Sequence, residues 1–232
     1  MLRVTRTFIP ILIIALPCAA QTPAPRPTAT QPASAPASRP AIIARTDWAD
    51  RPAIAERLER HTPQRLTIHH AGVLDDGRTP GDRKLRALLA YSQNEKKWGD
   101  VPYHFIIDRS GRIFEGRALH FAPDTNTGYD VRGHIGICVN GDLTRQSLLE
   151  PQYRALVALL AELTRRLNIP DDHIASHRDV SPGKTVCPGA LQQFLDNGTL
   201  LRDLAAHRAG RPYTFRTPAV PGSQPATTRP AR

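Results

Sequence analysis

Between residues 66 and 167 the apolar side chains change period repeatedly, and that alternation limits what the chain can fold into more than any other feature. Leu66-Thr67-Ile68-His69-His70 is a short β-type run that ends at Ala71-Gly72. Tyr103 to Asp108 is a second run; Arg109-Ser110-Gly111 then supplies a turn and Arg112-Ile113-Phe114-Glu115 returns, which predicts a hairpin. His134 to Val139 is a further strand, closed by Asn140-Gly141. Helix signals fall between these runs. Asp82 is placed to cap a helix carrying Leu85, Leu88 and Leu89. After Pro151, Tyr153, Leu156, Val157, Leu160, Leu163 and Leu167 recur at three- and four-residue spacing. Strands interleaved with helices, with one antiparallel pair, predict a single α/β domain: a mixed central β-sheet flanked by helices, with the site at a crevice on the sheet.

The flanks have a different chemistry. Arg3 and Arg6 precede a short apolar run, Phe8 to Leu16, and Cys18-Ala19-Ala20 offers small residues for cleavage after Ala20. Residues 1–20 therefore read as an export signal, which sends the protein to the periplasm or the medium; a lipid anchor on Cys18 ranks second because Pro17 precedes it. Residues 21–40 are Pro, Ala, Thr and Ser with little to bury, so they read as a linker. The domain is expected over 41–209, and 210–232, with Pro212, Pro218, Pro221, Pro225 and Pro230, as a disordered tail.

Charge bears on the partner. The chain carries a formal +10, but residues 1–40 and 205–232 hold nine arginines and no acid, which leaves the middle at +1. A nearly neutral domain argues against nucleic acid as a partner. The arginine-dotted ends could still attract an anionic envelope polymer weakly. A monomer is expected.

Cleavage after Ala20 leaves Cys138 and Cys187 where disulfides are permitted. A single structural bridge is one reading. The other separates them, Cys138 as a core residue in Ile135-Gly136-Ile137-Cys138-Val139 and Cys187 as a ligand in a polar Gly/Pro-rich loop ten residues after His177. Among the histidines, His61, His173 and His207 sit in polar surroundings and read as solvated. His69 and His70 end a buried-type strand, where α/β sheets present side chains to a crevice. Neighbouring strand residues point to opposite faces, so one of the pair, not both, is expected at the site. Two imidazoles and a thiolate suit zinc, with a fourth position left open for chemistry.

Four ordered segments then resemble one family: Thr67-Ile68-His69-His70-Ala71; Tyr103-His104-Phe105-Ile106-Ile107 with Gly111-Arg112-Ile113-Phe114-Glu115-Gly116-Arg117; His134-Ile135-Gly136-Ile137; and His177-Arg178-Asp179 with Thr185 and Cys187-Pro188-Gly189. Together, over residues 42–200, they resemble the type 2 N-acetylmuramoyl-L-alanine amidases, a zinc amidase fold shared with peptidoglycan recognition proteins. The resemblance implies one zinc ion held by His69, His177 and Cys187. It also implies cleavage of the amide between N-acetylmuramic acid and the L-alanine of a peptidoglycan stem peptide. By position it makes Tyr103 and Thr185 the catalytic side chains and puts His70, His104 and Arg117 along the substrate groove. Cys138 stands where the branch that recycles anhydro-muropeptides has a glutamate, and Asp124 to Asp130 departs from the usual loop. The competing function is a peptidoglycan-binding module of the same fold that does not hydrolyse; the complete ligand set favours the enzyme.

Overall fold

The computed structural model describes residues 39–221. The predicted export signal, nearly all of the linker and the last part of the tail lie outside the described residues. In chain order the elements are β1 (Ile42–Ile43), α1 (Arg45–Trp48), β2 (Arg65–His70), α2 (Gly81–Asn94), β3 (Phe105–Ile107), β4 (Ile113–Glu115), β5 (His134–Val139), α3 (Glu150–Leu167), β6 (Ile174–Ser176), α4 (His177–Val180), α5 (Gln192–Asp196) and α6 (Thr199–Arg208). The strands form one sheet in the order β1-β4-β3-β5-β2-β6. Only β3 and β4 run antiparallel; every other pairing is parallel, so the expected mixed sheet is present.

Strand alternation divides this sheet into two chemically distinct faces. On the back face Leu66, Ile68, Phe105, Ile107, Ile135, Ile137 and Val139 pack against Tyr153, Leu156, Val157, Leu160 and Leu163 of α3 and Leu204 of α6. These positions in α3 are the ones its sequence period marks. At the start of α3 the Gln152 carboxamide oxygen accepts from the Leu149 N–H at 3.3 Å, and Asn168 ends the helix in a left-handed conformation. The front face carries Ile106, Phe114 and Cys138, covered over part of its width by Leu85 and Leu89 of α2 and by Trp48. The rest of that face carries Thr67, His69 and His134, where the crevice is expected.

Two expectations about the ends of elements change. Helix α2 is preceded by Pro80, and Asp82 lies inside its first turn, paired with Arg86 at 2.6 Å rather than capping a backbone N–H. Proline in the extended region already sets the entry of the chain, and a carboxylate one turn in still complements the helix dipole. The second change is at the C-terminus. The chain from Arg211 to Pro221 follows the back of the domain instead of leaving it: the Phe215 ring lies 5.4 Å from Tyr153 and 6.1 Å from Phe194, the Arg154 guanidinium sits over Tyr213, and Pro218 is buried. Its proline content hides two aromatics at alternate positions, enough apolar surface to hold a short strap in place. Among the described residues no helix is long and apolar enough to cross a membrane.

Candidate metal centre

His69 is the second-last residue of β2, and its register partner on β5 is Cys138, which in turn faces Ile106 on β3. All three therefore point to the front face. His177 follows β6 directly and opens α4, where Ser176 and Asp179 cap one another: the Ser176 hydroxyl accepts from the Asp179 N–H at 3.0 Å and the Asp179 carboxylate accepts from the Ser176 N–H at 3.0 Å. Asp179 also accepts from Gln192, while Arg178 turns outward to Asp196 at 2.8 Å, so these neighbours fix the helix and do not pair with each other. Cys187 returns to the same place on a loop held by Arg178 N–H donating to the Cys187 carbonyl at 2.8 Å. Gly189 makes that return possible. Its φ is +65°, and a β-carbon there would lie 2.5 Å from the Leu143 carbonyl carbon.

The result is a group of three buried donors, His69, His177 and Cys187, whose candidate ligand atoms all lie within 4.8 Å of one another. Burial keeps both imidazoles neutral: it drives His69 well below the usual histidine range, helped by the adjacent His177, and lowers His177 to about 4. Burial also pushes the Cys187 thiol up to about 12, opposed by the backbone N–H of His70, which donates to Sγ at 3.2 Å. Two neutral nitrogens and a sulfur with a hydrogen-bond donor already aimed at it form a donor set that fits a divalent soft-to-borderline cation such as zinc, whose charge would offset the cost of a buried thiolate. No disulfide competes: Cys138 and Cys187 are both free and buried.

The crevice is walled by rings. Tyr103, just before β3, tilts against His69 with centroids 5.3 Å apart and packs against the cluster that contains Cys138. Burial first, then the two nearby thiols, raises the Tyr103 pKa, so the phenol stays protonated. Tyr129 lies 5.5 Å from His177 and 5.2 Å from His134, whose Nδ1 meets the Thr67 hydroxyl at 2.6 Å. Thr185, half-buried beside the ligand loop, accepts from the Cys187 N–H at 3.1 Å, which leaves its own proton to donate.

Three residues assigned to the substrate groove are not there. His104 is fully buried, with Nδ1 accepting from the Gly136 N–H and Nε2 bonded to the Phe121 carbonyl, both at 2.9 Å, so no ring atom is left for a ligand. Arg117 is 2% exposed and is consumed by the carbonyls of Val101, Asp100 and Ala122 and by the Asp124 carboxylate. His70 is on the back-face side of β2; its Nδ1 accepts from the Leu143 N–H at 3.0 Å and holds the loop after β5. In each case a polar side chain next to a site residue in sequence satisfies backbone groups that the fold would otherwise bury unpaired. His61 also differs from its reading, bonded to Leu119 O at 2.8 Å and Gly133 N–H at 2.9 Å rather than solvated. Conversely, Thr125, Thr127, Tyr129 and His134 enter the crevice unannounced. The one signal for the first three is the unusual segment 124–130 in which they stand.

The family model described as N-acetylmuramoyl-L-alanine amidase matches residues 59–190, more than half of the chain. The chain belongs to that family. Among related sequences, peptidoglycan-recognition protein SC2 of Drosophila melanogaster is 29% identical over 150 residues, which is 64% of this chain and 80% of that protein. The human N-acetylmuramoyl-L-alanine amidase is 28% identical over 156 residues, 65% of this chain but only 27% of that longer protein. Among solved structures, the amidase LysC of Clostridium intestinale has the same fold, with a TM-score of 0.55, 24% identity and coverage of 70% of this chain and 98% of that one. The ectodomain complex of peptidoglycan recognition proteins LCa and LCx, solved with tracheal cytotoxin bound, reaches a TM-score of 0.55 at 26% identity, covering 64% of this chain and 89% of that one. The amidase family thus includes proteins named for hydrolysis and proteins named for recognition.

Proposed function

We propose that this chain is a zinc-dependent N-acetylmuramoyl-L-alanine amidase that hydrolyses the amide between N-acetylmuramic acid and L-alanine in peptidoglycan or its fragments. The observation that carries the reading is the complete, buried group of His69, His177 and Cys187, brought together at the ends of β2 and β6. A recognition module has no need of three preorganised soft donors. Zinc held by these side chains would supply the Lewis acidity that amide hydrolysis at neutral pH requires.

The chain's own groups perform the rest. Tyr103, kept protonated by its burial, donates a hydrogen bond to the carbonyl oxygen as that oxygen gains charge. Thr185, whose oxygen is already engaged by the Cys187 N–H, has its proton free to donate to the same oxygen. The departing amine takes a proton from the tyrosine or from water. Tyr129 and the half-buried loop around it narrow the approach from one side. A related complex solved with tracheal cytotoxin supports a peptidoglycan-type ligand. The export signal read from residues 1–20 is consistent with a substrate in the cell envelope, and the basic ends would add weak attraction to anionic polymer there.

The deciding experiment is mass spectrometry of defined wall fragments after incubation with zinc-loaded protein. Release of intact stem peptides, each one water heavier in total with its glycan partner, is the expected result. Fragments that stay bound and uncut, while zinc is present at one per chain, would overturn hydrolysis in favour of a binding module.

A further inference from the structure

The loop from Asp124 to Asp130 has no place in the ligand set, yet it ends on a ligand. Thr127 Oγ1 lies 2.6 Å from His177 Nε2, and Thr125 Oγ1 lies 3.4 Å from the same nitrogen. The two hydroxyls are 3.1 Å apart, and the Thr127 N–H donates to Thr125 Oγ1 at 3.2 Å. A consistent proton order runs along these contacts: His177 Nε2–H donates to Thr127, and the Thr127 O–H donates to Thr125. The loop is held in place from three directions. The buried Arg117 grips Asp124 at its start, the Lys184 ammonium donates to the Gly128 carbonyl at 2.7 Å, and Tyr129 rests edge-on against His134.

We propose that Thr127 is the positioning residue for His177: it occupies Nε2, fixes the Nε2–H tautomer and leaves Nδ1 as the nitrogen that meets the metal. Nδ1 is the ring nitrogen nearer the backbone, and the Cys187 carbonyl accepts from the Arg178 N–H at 2.8 Å, so the loop that carries the thiol is tied to the chain one residue from His177. A histidine ligand whose remote N–H is anchored keeps its orientation and its basicity. Sequence position gives no hint of the pairing, since the two residues are 50 apart.

The inference rests on the metal site of the proposed function, and the test separates the two. Zinc affinity of the intact protein is measured by competition with a chromophoric chelator for wild type, Thr127→Val and Thr127→Ser. In parallel, long-range ¹H–¹⁵N spectra of metal-free protein at pH 7.5 report the His177 tautomer. Thr127→Val should bind zinc about 10- to 100-fold more weakly and lose the Nε2–H preference, while Thr127→Ser should restore both. Wild type that binds no zinc would overturn the metal site itself. A valine variant with wild-type affinity and tautomer would overturn only the positioning role, and one that binds zinc more tightly would do so too, by identifying Nε2 as the metal-facing atom. Urea unfolding of the metal-free variants guards against a folding defect: a midpoint equal to wild type assigns the affinity change to the ring.

Discussion

His69 and His70 are adjacent on one strand, have the same side chain and are both buried, yet they do opposite work because the sheet has two faces. The front face spends its polar side chains on a site: His69 and Thr67 of β2 and His134 of β5 share that face, with the rings of Tyr103 and Tyr129 against the two histidines. The back face spends its polar residues on architecture, with His70 tied to the Leu143 N–H and Ser176 capping α4, and the rest is given to aliphatic packing on α3. Front-face substitutions should therefore change what the protein binds, and back-face substitutions should change how firmly it folds.

The strongest way to break this division is at the metal. His69→Ala and Cys187→Ser should each abolish zinc retention after gel filtration, with hydrolysis lost in step, because two donors cannot hold the ion and a serine hydroxyl is a poor replacement for thiolate. Metal stoichiometry near one in either variant would mean that the front-face site is misassigned. On the other side, Leu160→Ala should cost about 2–5 kcal/mol in urea unfolding, and the folded fraction should keep wild-type zinc affinity. Between these extremes lies the neighbouring histidine. His70→Ala should retain zinc but lose about 1–3 kcal/mol of stability, since the Leu143 N–H is left buried without its acceptor. Loss of metal with unchanged stability would reverse the assignment of faces.

A pH experiment sharpens the comparison from within the interior. His104 is fully buried and lowered to about 3, chiefly by desolvation, against an ordinary value of 6.5. A depressed folded-state value means that the unfolded chain binds the proton more readily, so the stabilisation is complete above pH 6.5 and is lost progressively as pH falls toward 3. Metal-free protein should show a falling urea midpoint between pH 6.5 and 4, and His104→Gln a shallower fall; equal slopes would count against this account. The smallest effect is expected at Cys138→Ala, about 1 kcal/mol, with zinc stoichiometry unchanged. Thiol counting on denatured, unreduced wild type, freed of metal, should find two free thiols in the mature chain.

Much of the frame was readable in advance. The period of α3 marked its buried side from Tyr153 to Leu163, and the Arg109-Ser110-Gly111 turn located the hairpin, since both signals are local. That His69, His177 and Cys187 come together was also legible, through four separate segments whose order is distinctive. What stayed hidden depends on long-range partners. Nothing near His104 or Arg117 in sequence says that Gly136, Phe121 and Asp124 will claim their polar atoms, and nothing near Thr127 says that His177 waits across the crevice. The C-terminal strap was misread for the opposite reason: local composition, rich in proline, outweighed Tyr213 and Phe215, whose value appears only once Tyr153 and Phe194 are beside them.

The contact between the His70 backbone and the Cys187 thiol joins residues 117 positions apart. A nascent chain that has released β2 through α3 owns one histidine of the group and neither of its partners, so it has nothing with which to capture an ion. Capture must wait until β6 docks beside β2 and the following loop closes. Under the proposed function and the export expected from residues 1–20, metal loading would be a final event governed by the ion supply of the destination compartment, and activity would begin only there.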